Sequence, residues 1–162
     1  MKQGNLHLLT GKIGAGKSTL AAKLASETGG LVLAEDHWLP TLYPAQITSI
    51  EDYRRESARF RVAIAPLIVD LLQRGITIVL DFPANTVASR AWMHGLAEEA
   101  GIIASLHFLD LPDHVCLARL HARNAAGTHA YQATDAEFEQ FTAHFAAPTE
   151  DEGFRIIRYE AP

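Results

Sequence analysis

The chain has 162 residues, 48% of them hydrophobic and 20% charged, and a formal net charge of −5; this composition is typical of one globular domain, residues 1–162, with a real core. The acidic balance argues against a protein that coats nucleic acid, since such binding needs a basic surface. Cys116 is the only cysteine, so an internal disulfide is excluded and a reducing, cytoplasmic compartment is expected. No uninterrupted apolar window approaches the ~18 residues that span a bilayer, and we expect no signal peptide.

The first part of the chain alternates short apolar runs with one helical segment. Residues 6–9 predict a first strand, and residues 18–28 predict a helix that stops at the glycine pair beginning with Gly29. Leu31–Ala34 predicts a second strand, with Asp36 close to its carboxyl end.

A long helix is predicted next. Residues 50–71 carry apolar side chains at steps of about three and four positions, which indicates one buried stripe. Pro66 interrupts this pattern, because proline removes a backbone donor and clashes with the preceding turn. We therefore expect either a kink or two separate helices near residues 62–66.

The remainder of the chain continues the alternation, and Thr134 with Glu137 forms the sequence pattern of a capping box. The remaining predicted elements are strand 76–80, helix 86–100, strand 102–109, helix 113–124, helix 134–146 and strand 154–159. Five strands joined by helical crossovers predict an α/β fold, a three-layer αβα sandwich around a parallel five-stranded sheet. Ligands of such folds bind at the carboxyl ends of the strands.

The most specific signal is the segment GKIGAGKST, which fits G-x-x-x-x-G-K-[ST] between the first strand and the first helix. A chance match in a chain of this length has odds of about one in a few hundred. Glycines let several backbone N–H groups point at one anion, and the helix adds its positive end. The residues predicted to bind the phosphates of a nucleotide are Gly11, Lys12, Ile13, Gly14, Ala15, Gly16, Lys17, Ser18 and Thr19.

Three groups are expected to act on those phosphates. Lys17 reaches the β- and γ-phosphates, and the Ser18 hydroxyl is a ligand of Mg²⁺. Asp81 ends the third predicted strand, where a carboxylate holds the metal through water, although an aspartate there also caps turns. Asp110 ends the fourth strand and competes for this role, but it precedes a helix start, so we assign it a structural role.

Arg119 and Arg123 are four residues apart and share a helix face. Their helix runs into a glycine-containing break, so residues 119–133 are predicted to form a lid. Guanidinium groups on such a segment neutralise charge as a phosphoryl group moves. The alternative is an ordinary solvated helix face.

A hydroxyl acceptor needs a carboxylate, and Asp36 is placed for that role at the end of the second strand. It is predicted to orient and deprotonate the attacking hydroxyl. Glu35 points to the other side of an extended chain and is the weaker candidate. The alternative for Asp36 is an acidic residue in a surface turn.

Other polar residues are candidates for the acceptor pocket. Arg90 and its neighbour Asn85 lie near the helix that follows Asp81, and His37 and Trp38 follow Asp36. Four further arginines cluster after the second strand, where most are expected to be solvated or paired with acidic neighbours; they are Arg54, Arg55, Arg59 and Arg61.

With these residues in place, the chain resembles a family of small bacterial P-loop proteins with an AAA-type ATP-binding domain. That family lies near zeta toxins, chloramphenicol phosphotransferase and the kinase domain of 5′-polynucleotide kinases. The resemblance covers nearly the whole chain and rests on GKIGAGKST, LVLAEDHWL, GITIVLDFPANTVASRAW, HFLDLPDHVCLARLHARN and FAAPTEDEGF.

The resemblance implies a P-loop kinase fold with strand order 2-3-1-4-5, and ATP with Mg²⁺. It also implies phosphoryl transfer to a hydroxyl, with Asp36 as the base and Arg119 and Arg123 over the phosphates. Polynucleotide kinases usually carry an arginine shortly after the acceptor aspartate, whereas here the next arginine is Arg54. This departure argues against a nucleic-acid acceptor.

The leading hypothesis is a cytoplasmic ATP-dependent kinase that phosphorylates a hydroxyl of an unidentified small molecule. One alternative is a regulatory switch that hydrolyses ATP and has no acceptor. Another is a nucleotide kinase, in which arginines 54–61 would supply a basic pocket for a monophosphate.

Overall fold

The elements alternate between strand and helix along most of the chain. A computed structural model describes residues 2–127 and 132–160. The strands are β1 Leu6–Gly11, β2 Leu31–Ala34, β3 Ile78–Asp81, β4 Ser105–Asp110 and β5 Arg155–Glu160. The helices are α1 Lys17–Thr28, α2 Glu35–Leu42, α3 Ile50–Gln73, α4 Val87–Ala100, α5 Asp113–Ala126 and α6 Asp135–His144, and Glu150–Glu152 forms a short 3-10 turn.

The five strands form one sheet in the order β2-β3-β1-β4-β5, and every pairing is parallel. This confirms the expected α/β fold and the strand order 2-3-1-4-5. Because all strands run in one direction, their carboxyl ends lie along a single edge. Gly11, Ala34, Asp81 and Asp110 end their strands there, so residues far apart in the chain meet at this edge.

Each face of the sheet is covered by its own helices. On the α3/α4 face, Leu6, Leu8 and Leu80 pack with residues of α3 and α4. On the α1/α5 face, the alternating positions such as Leu9 and Val79 pack with residues of α1 and α5. The alternation follows from the period of two in a strand, which sends neighbouring side chains to opposite faces.

Local capping agrees with the sequence pattern. The Thr134 side chain accepts from the Glu137 N–H, and the Glu137 side chain accepts in return from the Thr134 N–H, which confirms the predicted capping box. The Thr86 side chain likewise accepts from the Ser89 N–H at the start of α4. These bonds satisfy donors that a helix N-terminus leaves unpaired.

Two expectations about helices need correction. The sequence pattern missed α2, because this eight-residue helix contains Pro40 and is too short to show a periodic stripe; acidic residues in its first turn favour it through the helix dipole. The two-helix alternative at Pro66 is wrong, since α3 runs unbroken through it. Val62, one turn earlier, is 74% exposed, so water can reach the carbonyl that Pro66 leaves without a donor.

The predicted lid, residues 119–133, is described only in part. Its first residues belong to α5, and residues 128–131 lie outside the described residues. Within residues 2–127 and 132–160, no helix combines the length and the apolar character that a membrane crossing requires.

Candidate functional site

The residues of GKIGAGKST form the turn between β1 and α1, which we call the phosphate-binding loop (residues 11–19). Gly14 and Gly16 have φ of 82° and 97°, in the left-handed region that other residues rarely adopt. A Cβ on Gly14 would lie 2.3 Å from the Cys116 carbonyl oxygen. Glycine is therefore required here both by backbone conformation and by the close approach of α5.

Lys17 lies inside this loop at the start of α1. Its Nζ donates to the Gly11 and Lys12 carbonyl oxygens, at 2.6 and 3.0 Å. Burial lowers the pKa of Lys17 to about 8, although the nearby Asp81 carboxylate acts in the opposite direction. At neutral pH the side chain therefore stays mostly charged, and only neutral carbonyl oxygens contact its ammonium group.

Ser18 and Asp81 come together from two different elements. The Ser18 hydroxyl donates to Asp81 Oδ2 at 3.0 Å. Burial is the main cause that raises the pKa of Asp81, and the charge of Asp36 adds to it. One neutral and one anionic oxygen donor at this distance suit a hard cation such as Mg²⁺, which takes few protein ligands and completes its shell with phosphate and water.

Arg119 and Arg123 project from α5 towards the same loop. Arg119 Nη1 donates to the Ala15 carbonyl oxygen at 3.1 Å. The charge of Arg123 is among the effects that lower the pKa of Lys17, after burial, and its buried Nε has no hydrogen-bond partner in the described residues. Within those residues, neither arginine has a carboxylate within 4.0 Å. Together with Lys17 they place three positive charges around the phosphate-binding loop.

Asp36 lies in the first turn of α2 and is exposed to solvent. Its charge contributes to the pKa of Lys17, of Asp81 and of Tyr53, after burial in each case. Asp36 therefore lies within electrostatic reach of the phosphate-binding loop and of the Ser18–Asp81 pair.

Glu35, its neighbour, is fully buried. It accepts hydrogen bonds from the Ser57 hydroxyl at 3.0 Å, from Arg61 Nε at 3.1 Å and from the Tyr53 hydroxyl. The two acidic residues point apart because they follow one another on a helix, not on the extended chain assumed from the sequence. Glu35 joins α2 to α3 and is not available to a ligand.

Asn85, which the sequence only singled out as a neighbour of Arg90, connects to the phosphate-binding loop directly. Its Oδ1 accepts from the Thr10 hydroxyl and from the Gly11 backbone N–H, both at 3.1 Å. A backbone N–H can only donate, so the amide oxygen must face Gly11. The Nδ2 group, which has no partner in the described residues, is left to donate at the carboxyl edge of β1.

The arginines proposed for the acceptor pocket are engaged elsewhere. Arg90 is fully buried and donates to Glu152 at 2.8 Å and to the Ala84 and Ala146 carbonyl oxygens, so it is not available to an acceptor. This corrects the sequence-based suggestion, which had no signal for a partner 62 residues away. Asp110 pairs with Arg158, in keeping with its structural assignment.

Three of the four α3 arginines are also paired. Arg55 contacts Asp52 and Glu56, and Arg59 contacts Glu56. Arg61 pairs with the buried Glu35, and its guanidinium lies 5.2 Å from the Trp92 ring centre. A basic monophosphate pocket on α3 is therefore not formed by these side chains.

Comparison with known proteins agrees with this fold. The family profile described as an AAA domain matches residues 6–148, and none of the curated proteins matches the chain. Among solved structures, Chaetomium thermophilum Kti12 in complex with ADP-AlF3 has a TM-score of 0.73 at 13% identity, covering 96% of this chain and 88% of that one.

Two kinases are also similar in fold. The Mycobacterium tuberculosis APS kinase CysC in complex with AMPPNP and APS has a TM-score of 0.65 at 21% identity, covering 99% of this chain and 90% of that one. A gluconokinase from Sinorhizobium meliloti 1021 has a TM-score of 0.62 at 17% identity, covering 98% and 82%. Because the profile spans most of the sequence, the chain belongs to this AAA domain family of P-loop, kinase-like proteins.

Proposed function

We propose that the protein is an ATP-dependent kinase that transfers the γ-phosphate of ATP to a hydroxyl group of a small molecule. The observation that carries this proposal is the position of Asp36. It is a solvent-exposed carboxylate at the carboxyl edge of the sheet, within electrostatic reach of Lys17 and Asp81. A protein that only hydrolyses ATP needs no such group, since many side chains can position a water molecule.

The positive groups around the phosphate-binding loop are assigned to ATP. Lys17 exchanges its two carbonyl contacts for the β- and γ-phosphates, which are stronger acceptors because they are charged. Arg119 and Arg123 neutralise the charge that spreads over the equatorial oxygens during transfer. The backbone N–H groups of the loop and the start of α1 hold the remaining phosphate oxygens.

Mg²⁺ fits the Ser18–Asp81 pair, whose two oxygen donors lie 3.0 Å apart. When bound, it neutralises charge on the β- and γ-phosphates and orients them. The raised pKa of Asp81, caused mainly by burial, is consistent with a carboxylate in an environment that lacks a sufficient counter-charge.

Asp36 is assigned to the acceptor. In the transfer step the acceptor oxygen forms a bond to the γ-phosphorus, the bond from that phosphorus to the β-phosphate oxygen breaks, and ADP leaves. The hydroxyl proton moves to the Asp36 carboxylate. Asn85 Nδ2 donates to the acceptor or to the moving phosphoryl group, because its Oδ1 is held by Thr10 and Gly11.

The test is Asp36→Asn, which keeps the size of the side chain and removes the base. ATP affinity, measured by calorimetry, should change little. Transfer of labelled γ-phosphate to an acceptor should fall by roughly 10²–10⁴-fold, the range for loss of a general base. Asp70→Asn is the matched control, since Asp70 is an exposed carboxylate on α3 that pairs with Arg74.

Each possible result for Asp36→Asn points to a different role for Asp36. If ATP binding collapses together with transfer, Asp36 belongs to the metal site. If neither quantity changes, the proposed base is wrong. If wild-type protein releases γ-phosphate only to water in the presence of every acceptor, the kinase proposal fails and a hydrolytic switch replaces it.

A further inference from the structure

We propose that the hydroxyl acceptor carries no anionic group, that is, no phosphate, sulfate or carboxylate. This inference rests on the proposed kinase function and narrows its substrate class. It follows from an account of the lysines and arginines of the chain, because an anionic substrate must be matched by positive charge at its binding site.

All fourteen lysines and arginines lie within the described residues, so none of them is left out of this account. Those with a carboxylate within 4.0 Å are Lys12, Lys23, Arg55, Arg59, Arg61, Arg74, Arg90 and Arg158. Those without such a partner in the described residues are Lys2, Lys17, Arg54, Arg119, Arg123 and Arg155.

Most of the second group is unavailable to an acceptor. Lys17, Arg119 and Arg123 surround the phosphate-binding loop and are assigned to ATP. Lys2 precedes β1, and Arg155 is the first residue of β5, so both lie at the amino edge of the sheet, opposite to the site. Among the lysines and arginines, Arg54 alone remains on the acceptor side, by which we mean the part of the carboxyl edge where Asp36, Trp38 and Asn85 lie.

Arg54 is a poor anchor for an anion. It is exposed and lies in the second turn of α3, between Glu51, Asp52 and Glu56. A single solvated guanidinium contributes little to an ion pair, and Glu51, three residues earlier on the same helix face, reduces the positive potential around it.

The two most buried arginines of the α3/α4 side are neutralised by carboxylates. Arg61 pairs with fully buried Glu35, and fully buried Arg90 pairs with Glu152. Releasing either guanidinium would leave an unpaired carboxylate inside the protein, which is strongly unfavourable.

Apart from His37, which follows Asp36 on α2, the groups that the acceptor side does present are neutral or negative. Asn85 offers an amide donor, and Asp36 offers an acceptor for a hydroxyl proton. Trp38 is 39% exposed, and its ring packs 5.5 Å from the Phe60 ring centre, so it offers an apolar surface. The Asp36 and Asp81 carboxylates would repel an anion at the same place, which discriminates against charged relatives of the substrate.

The test separates candidate acceptors by charge without knowing their identity. A small-molecule extract of the organism that encodes the protein is divided on an anion-exchange column, which retains anionic compounds and lets neutral ones pass. The unretained and retained fractions are each incubated with the protein and γ-labelled ATP. We expect a new labelled compound from the unretained fraction. Asp36→Asn should not form it.

The other outcomes are decisive. A labelled product from the retained fraction alone would overturn this proposal and leave the kinase function intact. Label that appears only as inorganic phosphate in both fractions would overturn the kinase function itself, and this proposal with it.

A second measurement examines Arg54 directly. With the active fraction, Arg54→Gln should leave the KM for the acceptor within about twofold of wild type, because no anion needs that guanidinium. Arg74→Gln is the matched control, since Arg74 is an exposed arginine just after the far end of α3. A rise of tenfold or more in KM for Arg54→Gln alone would identify an anionic acceptor.

Discussion

On the α1/α5 side of the phosphate-binding loop, Lys17, Arg119 and Arg123 hold positive charges that no carboxylate within 4.0 Å neutralises in the described residues. On the α3/α4 side, Arg90 is fully buried and Arg61 is partly buried, and they pair with Glu152 and Glu35. The same residue type is therefore left free on one side and neutralised on the other.

This difference has a thermodynamic consequence. Lys17 and Arg123 are partly buried, and a partly buried cation without a counter-ion costs free energy, because it loses water and gains only neutral partners. That cost is recovered when an anion binds. In the proposed function the α1/α5 side receives phosphate, whereas the charges of the α3/α4 side are already paired within the fold.

The largest expected effect comes from removing charge on the unpaired side. Lys17→Ala should lower γ-phosphate transfer by about a thousandfold or more, since one lost transition-state contact typically costs 10²–10³ and this one is charged. The fold should persist, because Lys17 bonds only to two loop carbonyls.

Circular dichroism and transfer of labelled phosphate should be measured on one preparation. Lys23→Ala is the control, since Lys23 lies on the same helix and is exposed. Full activity in folded Lys17→Ala would show that the unpaired charge is not used for phosphate.

Breaking the Glu35–Arg61 ion pair on the α3/α4 side should lower the stability of the fold. Glu35→Ala leaves Arg61 without its carboxylate and removes the acceptor for Ser57 and Tyr53. We expect a loss of about 3 kcal/mol in the free energy of unfolding, the lower end for breaking a buried pair, because the Arg61 guanidinium keeps its contact with the Trp92 ring.

Urea unfolding of wild type, Glu35→Ala and Glu56→Ala would measure this. Glu56 is also buried but pairs with the exposed arginines Arg55 and Arg59, so its loss should cost less. An equal loss in both variants would contradict the difference drawn between buried and exposed pairs.

The two sides also differ in how well the sequence predicts them. The phosphate-binding loop is contiguous, and its glycines, Lys17 and Ser18 set its geometry through the backbone, so the motif alone located it. The strand order followed from the family resemblance, since the apolar pattern predicted only a parallel sheet. Asp81 was located because it ends an apolar strand.

The α3/α4 side depends on contacts between distant residues. The sequence does not show that Glu35 meets Arg61, 26 residues later, or that Arg90 meets Glu152. The short helix α2 contains Pro40 and has no periodic stripe, so the sequence does not reveal it. The opposite directions of Glu35 and Asp36 were predicted correctly, but from an extended chain and not from a helix. The contact of Asn85 with Gly11 similarly needs the β1–β3 pairing.

Low pH should destabilise the α1/α5 face of the sheet, where two uncharged histidines and a tyrosine are hydrogen-bonded in series. His7 Nδ1 and His107 Nε2 are 2.9 Å apart, and His107 Nδ1 is 2.8 Å from the Tyr159 hydroxyl. Burial lowers the pKa of His7, and burial with the neighbouring His7 lowers the pKa of His107 to about 4. A protonated His107 is therefore disfavoured in the folded protein.

Since both histidines bind protons more readily when unfolded, their contribution to stability is present above about pH 6.5 and is lost as pH falls towards 4. Between pH 7 and pH 5, His107 alone should account for about 2 kcal/mol of lost stability. Urea unfolding at several pH values would measure it, and His107→Gln should flatten the curve. An unchanged slope in that variant would assign the acid response to carboxylates such as Glu152 instead.

The smallest effect concerns Asn85, which contacts the phosphate-binding loop from the α3/α4 side and so joins the two regions. Asn85→Ala removes the acceptor for the Gly11 N–H and the free Nδ2 donor together. Asn85→Asp keeps an oxygen for Gly11 but replaces the donor with a negative group.

If Nδ2 contacts the acceptor or the moving phosphoryl group, both variants should lower kcat/KM by about tenfold or more, equivalent to about 1.4 kcal/mol for one hydrogen bond. If Asn85 only supports the loop, Asn85→Asp should retain wild-type kcat/KM while Asn85→Ala loses ATP affinity. Calorimetry for ATP and steady-state kinetics on both variants therefore separate a group that contacts substrate from one that holds the backbone in place.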